Sequence, residues 1–243
     1  GDYDKISHME RMEMLERTAL LLGNDAVEKL KDKKIALFGL GGVGSYCLEA
    51  LVRAGIENFL ICDADTISPS NLNRQLFALR STIDRYKVDV AYNRMKDINP
   101  CVNIEKKPVF FSKESEGEFD FTSMDFVIDC IDTVTSKLLL IEKAKREGAR
   151  IISCMGTGNK IYGDFEISDI QKTSVCPLAR VMRLELKKRG IKGVDVLYSK
   201  ETPLKTKEVV FSQGRHLPGS VSFIPPLAGI KIAGHVVRKL LEL

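Results

Sequence analysis

Apolar positions along the chain switch between two spacings: the wide recurrence of one helical face and short unbroken runs that suit strands buried on both sides. Residues 9–30 read as helix with a break at Gly23-Asn24-Asp25. The run Ile35–Phe38 predicts a strand, after which Val43, Cys47, Ala50, Leu51 and Ala54 recur on one helical face. Asn58–Cys62 predicts a second strand, and Asp84–Ile98 a helix stopped near Asn99-Pro100. Strands follow at Val102–Phe111 and Asp125–Cys130, then a helix at Ser136–Glu147 and a strand at Arg150–Cys154. Strand alternating with helix predicts an α/β fold: a Rossmann-like, largely parallel sheet with helices on both faces.

From Ile161 the rhythm changes. Ile161–Ile170, Val194–Ser199 and Glu208–Ser212 read as strands around a helix at Leu178–Lys188, which predicts a smaller mixed or antiparallel C-terminal portion. Gly214–Pro226 is rich in glycine, proline and polar residues, and it leads into a last helix with Ile232, Ala233, Val236, Val237, Leu240 and Leu241 on its apolar side. Three stretches result: a helical segment at 1–30, a nucleotide-binding core at 31–160, and a substrate-facing portion at 161–243 that is integrated with the core.

Composition narrows the setting. The 243 residues suffice for one full core. Six cysteines form no C-x-x-C pair, and four of them sit in or beside apolar segments, which suits a reduced cytoplasm without a zinc knot. The amino terminus lacks a signal-peptide core, and the apolar segment Phe223–Val237 is interrupted by Pro225, Pro226, Lys231 and His235, so no membrane partner is expected. The net charge of +4 is unevenly spread: residues 171–243 carry 14 lysines and arginines against 5 acids, leaving residues 1–170 at −5. That asymmetry suits a back half facing a polyanion, and also a simple solvated basic helix such as Arg180–Arg189.

The chemistry begins at Gly39-Leu40-Gly41-Gly42-Val43-Gly44, between the first strand and the helix after it. Backbone without Cβ can turn sharply there and bring N–H groups at a helix amino end close to phosphate oxygens. Asp63 ends the second strand, 19 residues beyond Gly44, where an acid can accept ribose hydroxyl hydrogens. Asp65 lies two positions on, suited either to the same side or to capping the following turn. Asn71, Arg74, Gln75 and Lys87 follow; a guanidinium fork and an ammonium suit a triphosphate better than a dinucleotide. Asp129 and Asp132 flank the end of another strand. Asp132, beyond the strand, is the better placed to hold Mg²⁺ on ATP phosphates.

This constellation resembles the ubiquitin-activating superfamily of adenylating enzymes, the ThiF/MoeB type that includes bacterial activators of sulfur-carrier proteins. The resemblance implies that Gly39, Gly41, Gly42 and Gly44 cradle phosphate. Asp63 would hold the ribose; Asn71, Arg74 and Lys87 would serve the phosphates, and Asp132 the magnesium, with Asp65 and Gln75 counted among the nucleotide-binding residues. Arg17, in Arg-Thr-Ala-Leu-Leu-Leu-Gly, looks like the family's arginine that reaches the γ-phosphate from a partner subunit, implying a homodimer; by sequence alone it is a surface helix charge. Arg74, Lys87, Asp132 and Arg17 are the catalytic set.

The chain departs from the carrier-activating branch by lacking paired C-x-x-C zinc ligands and by having Thr133 where that branch often has asparagine. Asp169–Arg189, Pro218-Gly219-Ser220, Phe223-Ile224-Pro225 and Ala228-Gly229 look instead like the branch of tRNA threonylcarbamoyladenosine dehydratases. The implied reaction is ATP-dependent dehydration and cyclisation of N6-threonylcarbamoyladenosine in tRNA, through carboxylate adenylation. The alternative is adenylation of the C-terminus of a ubiquitin-like sulfur carrier, which leaves room for a sulfur-transfer protein partner. Cys176 reads as a packed thiol or as a thioester nucleophile. Lys187, Lys188, Arg189 and Lys192, with Lys200, Lys205 and Lys207, are the expected tRNA-backbone surface.

Overall fold

The computed structural model of the chain describes residues 2–243, with side chains from His8 onward. Three helices lead in: α1 (Asp2–Met14), α2 (Glu16–Leu22) and α3 (Asn24–Lys31). The expected break falls at Gly23 (φ 92°), and a second one falls at Leu15. Arg11 fastens this lead-in to the body: it is 3% exposed, its Nε donates to Glu57, and Nη2 donates to the carbonyls of Val27 and Gly55.

The body alternates β1 (Lys34–Phe38), α4 (Gly44–Arg53), β2 (Asn58–Cys62), α5 (Lys87–Ile98), β3 (Asn103–Lys107), β4 (Phe126–Asp129), α6 (Val134–Arg146) and β5 (Ile151–Cys154). Next come β6 (Phe165–Asp169), α7 (Pro177–Lys188), β7 (Asp195–Ser199), the two-residue strands β8 (Phe211–Ser212) and β9 (Arg215–His216), and α8 (Pro225–Leu240). Seven strands form one sheet in the order β3-β2-β1-β4-β5-β7-β6, with every pairing parallel except β6 with β7. The two-period of β1 divides the core. Ile35 and Leu37 face the cluster under α4, α5 and α8, while Ala36 and Phe38 face the one under α6 and α7. Each such buried leucine or phenylalanine contributes about 1.5–3 kcal/mol against the entropy of ordering. The order of strand addition reverses between the parallel neighbours β1 and β4, so a crevice opens outside their carboxyl ends, where an open α/β sheet places its ligand.

The α/β sheet and its small antiparallel addition are as the pattern predicts, but several boundaries move for identifiable reasons. The C-terminal portion joins the core sheet directly: β7 extends the parallel sheet beside β5, and only β6 and the β8–β9 hairpin run antiparallel. The strand expected from Ile161 starts at Phe165, because the N–H groups of Ile161, Tyr162 and Gly163 are all taken by the Glu201 carboxylate. The strand expected at Val102–Phe111 ends at Lys107, before Pro108, which lacks the N–H a ladder needs. The helix expected from Asp84 starts at Lys87, since Asp84 has φ 70° and Thr66 bridges Tyr86. No helix among the described residues is long and apolar enough to cross a membrane.

Candidate active site

A cavity of about 600 Å³ occupies the crevice beyond the ends of β1, β2, β4 and β5. Its first wall grows from the glycine turn. Gly39 has φ 93°, and a Cβ there would meet the Cys130 carbonyl oxygen at 2.5 Å; a Cβ on Gly44 would fall 1.7 Å from the Gly39 carbonyl oxygen. The turn closes only because both are glycine. Gly39, Gly41 and Gly42 line the cavity, whereas Gly44 is buried at the start of α4 and serves that closure.

Asp63 joins this turn to the end of β2. One carboxylate oxygen accepts from Leu40 N–H at 2.7 Å and the other from Asp65 N–H at 2.8 Å. Burial pushes its carboxyl above the ordinary aspartate value, while the nearby Lys87 ammonium and the two N–H groups pull the other way. Lys87 is the first residue of α5 and is placed by its own backbone, whose N–H donates to the Asp65 carbonyl. Its side chain is 6% exposed and its Nζ lies 3.9 Å from the carboxylate of Asp65, which is itself exposed. Gln75, buried, brings Nε2 within 3.6 Å of where a Cβ on Gly41 would stand, and Arg74 runs beside Gly42. The Arg74 guanidinium donates to the Ser70 carbonyl and to Asn73 Oδ1.

The two aspartates at and beyond the end of β4 separate as their spacing suggested. Asp129 is fully buried, accepting from Ile131 N–H and from Lys137 Nζ, both at 2.9 Å, and from the Ser153 hydroxyl. It ties β4 to α6 and β5. Asp132 is exposed and lines the cavity.

The second wall consists of loops: Met155–Lys160 after β5, Cys176–Leu178 at the start of α7, and Pro203 with Leu217–Ser220. Asn159 (φ 58°) pins the last of these, exchanging hydrogen bonds with Gly219 through its side-chain oxygen and its N–H, while its carbonyl accepts from Leu204 N–H. The carboxylate of Glu201 holds three successive N–H groups just after Lys160. Asn73 Nδ2 donates to the Ser220 carbonyl at 3.0 Å, linking the two walls.

The structure therefore gathers Gly39, Gly41, Gly42, Asp63, Asp65, Arg74, Gln75, Lys87 and Asp132 around one cavity. Asn71 stands aside, its side-chain oxygen accepting from Ser68 N–H within a turn. Arg17 is exposed on α2 and does not line the cavity of its own chain. Cys176 lines it but is 1% exposed. Cys62, Cys130 and Cys154 also line it, and burial pushes all three thiols up, Cys62 and Cys154 to about 12. They stay protonated and unreactive.

Sequence reasoning missed Lys160, Asn159 and Glu201. Lys160 had a usable signal, its place in Gly156-Thr157-Gly158-Asn159-Lys160 just past the carboxyl end of a parallel strand. Glu201 had none. The expected basic surface also divides: Lys187, Lys188, Arg189 and Lys192 lie between the end of α7 and the start of β7, hence at the sheet edge away from the cavity. Arg189 is moreover paired with Glu142 and Glu185, and Lys188 with Glu185.

The sequence profile of the ThiF family matches residues 15–212. A tRNA threonylcarbamoyladenosine dehydratase of Bacillus subtilis is 38% identical over 238 residues, covering 93% of this chain and 94% of its own. Crystal structures of the E. coli tRNA N6-threonylcarbamoyladenosine dehydratase TcdA, in complex with ATP and with AMP, superpose with TM-scores of 0.85 and 0.86. Each covers 95% of both chains at 28% and 29% identity. An adenylyltransferase and sulfurtransferase uba4 of Ogataea parapolymorpha is 33% identical, but over 60% of this chain and 37% of its own.

Proposed function

We propose, from the premise that this chain belongs to the ThiF family, that it dehydrates and cyclises N6-threonylcarbamoyladenosine in tRNA at the expense of ATP. The observation that carries the reading is the single cavity joining the glycine turn, Asp63, Arg74, Lys87 and Asp132 to a wall of C-terminal loops, in a chain matched nearly end to end by dehydratases. The likeness to the carrier-activating relative covers 60% of this chain, against 93% for the Bacillus subtilis dehydratase, which leaves the carrier reading with less support.

In the proposed reaction a carboxylate oxygen of the substrate attacks the α-phosphorus of ATP. The bond to pyrophosphate breaks, and an acyl-adenylate forms. A nucleophile within the same modified base then attacks the acyl carbon, losing its proton as AMP leaves, for a net loss of water. Ring closure gains from the attachment of both reactants to one base. Gly39–Gly42 N–H groups and the amino end of α4 receive phosphate, the ionised Asp63 accepts ribose hydroxyl hydrogens, and Arg74 and Lys87 offset charge on the α-phosphate and the departing pyrophosphate. Asp132 fits Mg²⁺, an ion that takes one or two carboxylates and draws further oxygens from phosphates; once bound it would neutralise phosphate charge. No sulfur-transfer partner has a step in this chemistry.

A homodimer with Arg17 crossing into the partner's site completes the reading. Its support is α2, where Leu20 and Leu21 are 80% and 83% exposed beside Arg17. Mixed Arg17→Ala and Lys87→Ala proteins should recover activity through one intact shared site, and failure despite verified subunit exchange rejects it. A reducing cytoplasm suits the six free cysteines. The tRNA surface belongs nearer the mouth, at exposed Arg180, Lys205, Lys207 and Arg215, on or after segments that line the cavity. Neutralising Lys205, Lys207 and Arg215 should flatten the salt dependence of tRNA binding more than neutralising Lys187, Lys188 and Lys192.

The deciding experiment supplies ATP and magnesium with either threonylcarbamoylated tRNA or a purified carrier protein. The expected result is AMP plus a nucleoside lighter by one water, with the tRNA alone. Pyrophosphate release that requires the carrier protein overturns the proposal.

A further inference from the structure

Lys87, Lys137, Lys143 and Lys160 are the lysines buried in this protein among the described residues. Three of them answer a carboxylate: Lys87 with Asp65 at 3.9 Å, Lys137 with Asp129 at 2.9 Å, and Lys143 with Glu147 at 2.7 Å. Lys160 does not. It is 3% exposed, it donates to the Gly156 carbonyl, and its remaining neighbour at hydrogen-bonding range is the Cys176 thiol at 4.0 Å. An ammonium taken out of water without a countercharge is costly, and its three donors have here two partners, neither of them an anion.

The fold holds the ammonium in place despite that cost. Glu201 clamps the three N–H groups that follow, and Asn159, immediately before, is bonded on three sides to the loops at Leu204 and Gly219. Lys160 lines the cavity on the loop wall, beyond β5. In the sheet β5 stands two places from β1, about 10 Å from the glycine turn by strand spacing. The phosphates have Arg74 and Lys87 on the first wall, while the loop wall presents Lys160 as its buried cation.

We propose that Lys160 is the residue that receives the substrate's carboxylate, binding the attacking group opposite the phosphate wall before adenylation. This rests on the dehydratase reading and adds the recognition element that reading lacks, since Arg74, Lys87 and Asp132 all address the nucleotide. The ammonium holds one carboxylate oxygen, leaving the other to reach the α-phosphorus. A carboxylate is therefore selected over a neutral amide of the same shape.

The test uses an anticodon stem–loop bearing threonylcarbamoyladenosine, and the same RNA with its carboxylate converted to a primary amide. Binding of each is measured with α,β-methylene ATP, which stops the reaction before the bond breaks. Wild-type protein should prefer the carboxylate by about tenfold, as expected for a charged hydrogen bond. Lys160→Met and Lys160→Gln should bind the two RNAs within about twofold of one another, and Lys160→Arg should keep the preference, with ATP affinity unchanged in all three. A full carboxylate preference in either neutral variant overturns the assignment. So does a loss of ATP affinity with AMP affinity intact, which would make Lys160 a terminal-phosphate ligand. If one neutral variant fails to fold, the other decides. Wild-type protein that neither binds nor converts the carboxylate RNA defeats the dehydratase reading itself; conversion by wild type with unchanged selectivity in the variants defeats only the role of Lys160.

Discussion

On the wall beside β1 and β2, Asp63 directly follows a strand, Lys87 begins a helix, and the glycine turn lies between a strand and a helix, so regular structure places these groups. On the facing wall, Lys160 stands in a loop whose shape depends on other loops, through Glu201 and Asn159. The first arrangement is rigid because sheet and helix backbone cannot shift without breaking ladders. The second is rigid only while its side-chain clamps persist. The nucleotide wall should therefore fail mainly where backbone cannot close, and the loop wall where one side chain is altered.

Gly44→Ala should produce the largest effect. The added methyl would sit 1.7 Å from the Gly39 carbonyl oxygen, so the turn must open. Destabilisation of about 3 kcal/mol or more is expected, with ATP affinity down by about a hundredfold. Thermal melting and titration calorimetry measure both, and ATP binding close to wild type would show that the turn is not set by that contact. Lys87→Met comes next. It leaves the backbone closed, so the fold should persist while turnover falls by about a hundredfold or more through lost charge compensation. Turnover near wild type would remove Lys87 from the reacting centre.

The same contrast explains what could be read without a structure. Ile35–Phe38, the glycines, Asp63 and Asp132 were legible because apolar period and strand-end position are local properties. Asp132 was separable from Asp129 by its place beyond the strand. Glu201 was not legible, since its task is to meet N–H groups some forty residues earlier in sequence, and nothing in Ser199-Lys200-Glu201-Thr202 announces that. The placement of the basic run Lys187–Lys192 was not legible for a related reason: charge density is local, but the edge of the sheet on which it falls depends on the direction of β7.

Glu201→Gln probes the loop wall. The neutral side chain cannot accept from three N–H groups with the strength of a carboxylate, and about 1–2 kcal/mol of local support is lost. Turnover with modified tRNA should drop by about tenfold with ATP affinity unchanged, because the nucleotide wall does not depend on this clamp. Equal losses in ATP affinity and turnover would mean that the walls are coupled through the Asn73–Ser220 bond that joins them.

The smallest effect concerns Asp63 and acid. Burial holds its carboxyl above its ordinary value of 3.8 despite Lys87. A group that binds its proton more tightly in the folded state favours folding below its unfolded value, and that contribution is lost as pH rises through the folded one. Wild-type stability measured against Asp63→Asn should therefore fall as pH rises from 3.8 through the raised value. Nucleotide binding has the opposite sign, because ribose hydroxyls need the ionised acid as acceptor. ATP affinity of the wild type should decline by about tenfold in acid, beginning at a higher pH than an exposed aspartate would impose, while Asp63→Asn stays weak and flat across the range. Parallel curves for the two proteins would assign the acid response to another group and leave Asp63 as a tie between the turn and β2.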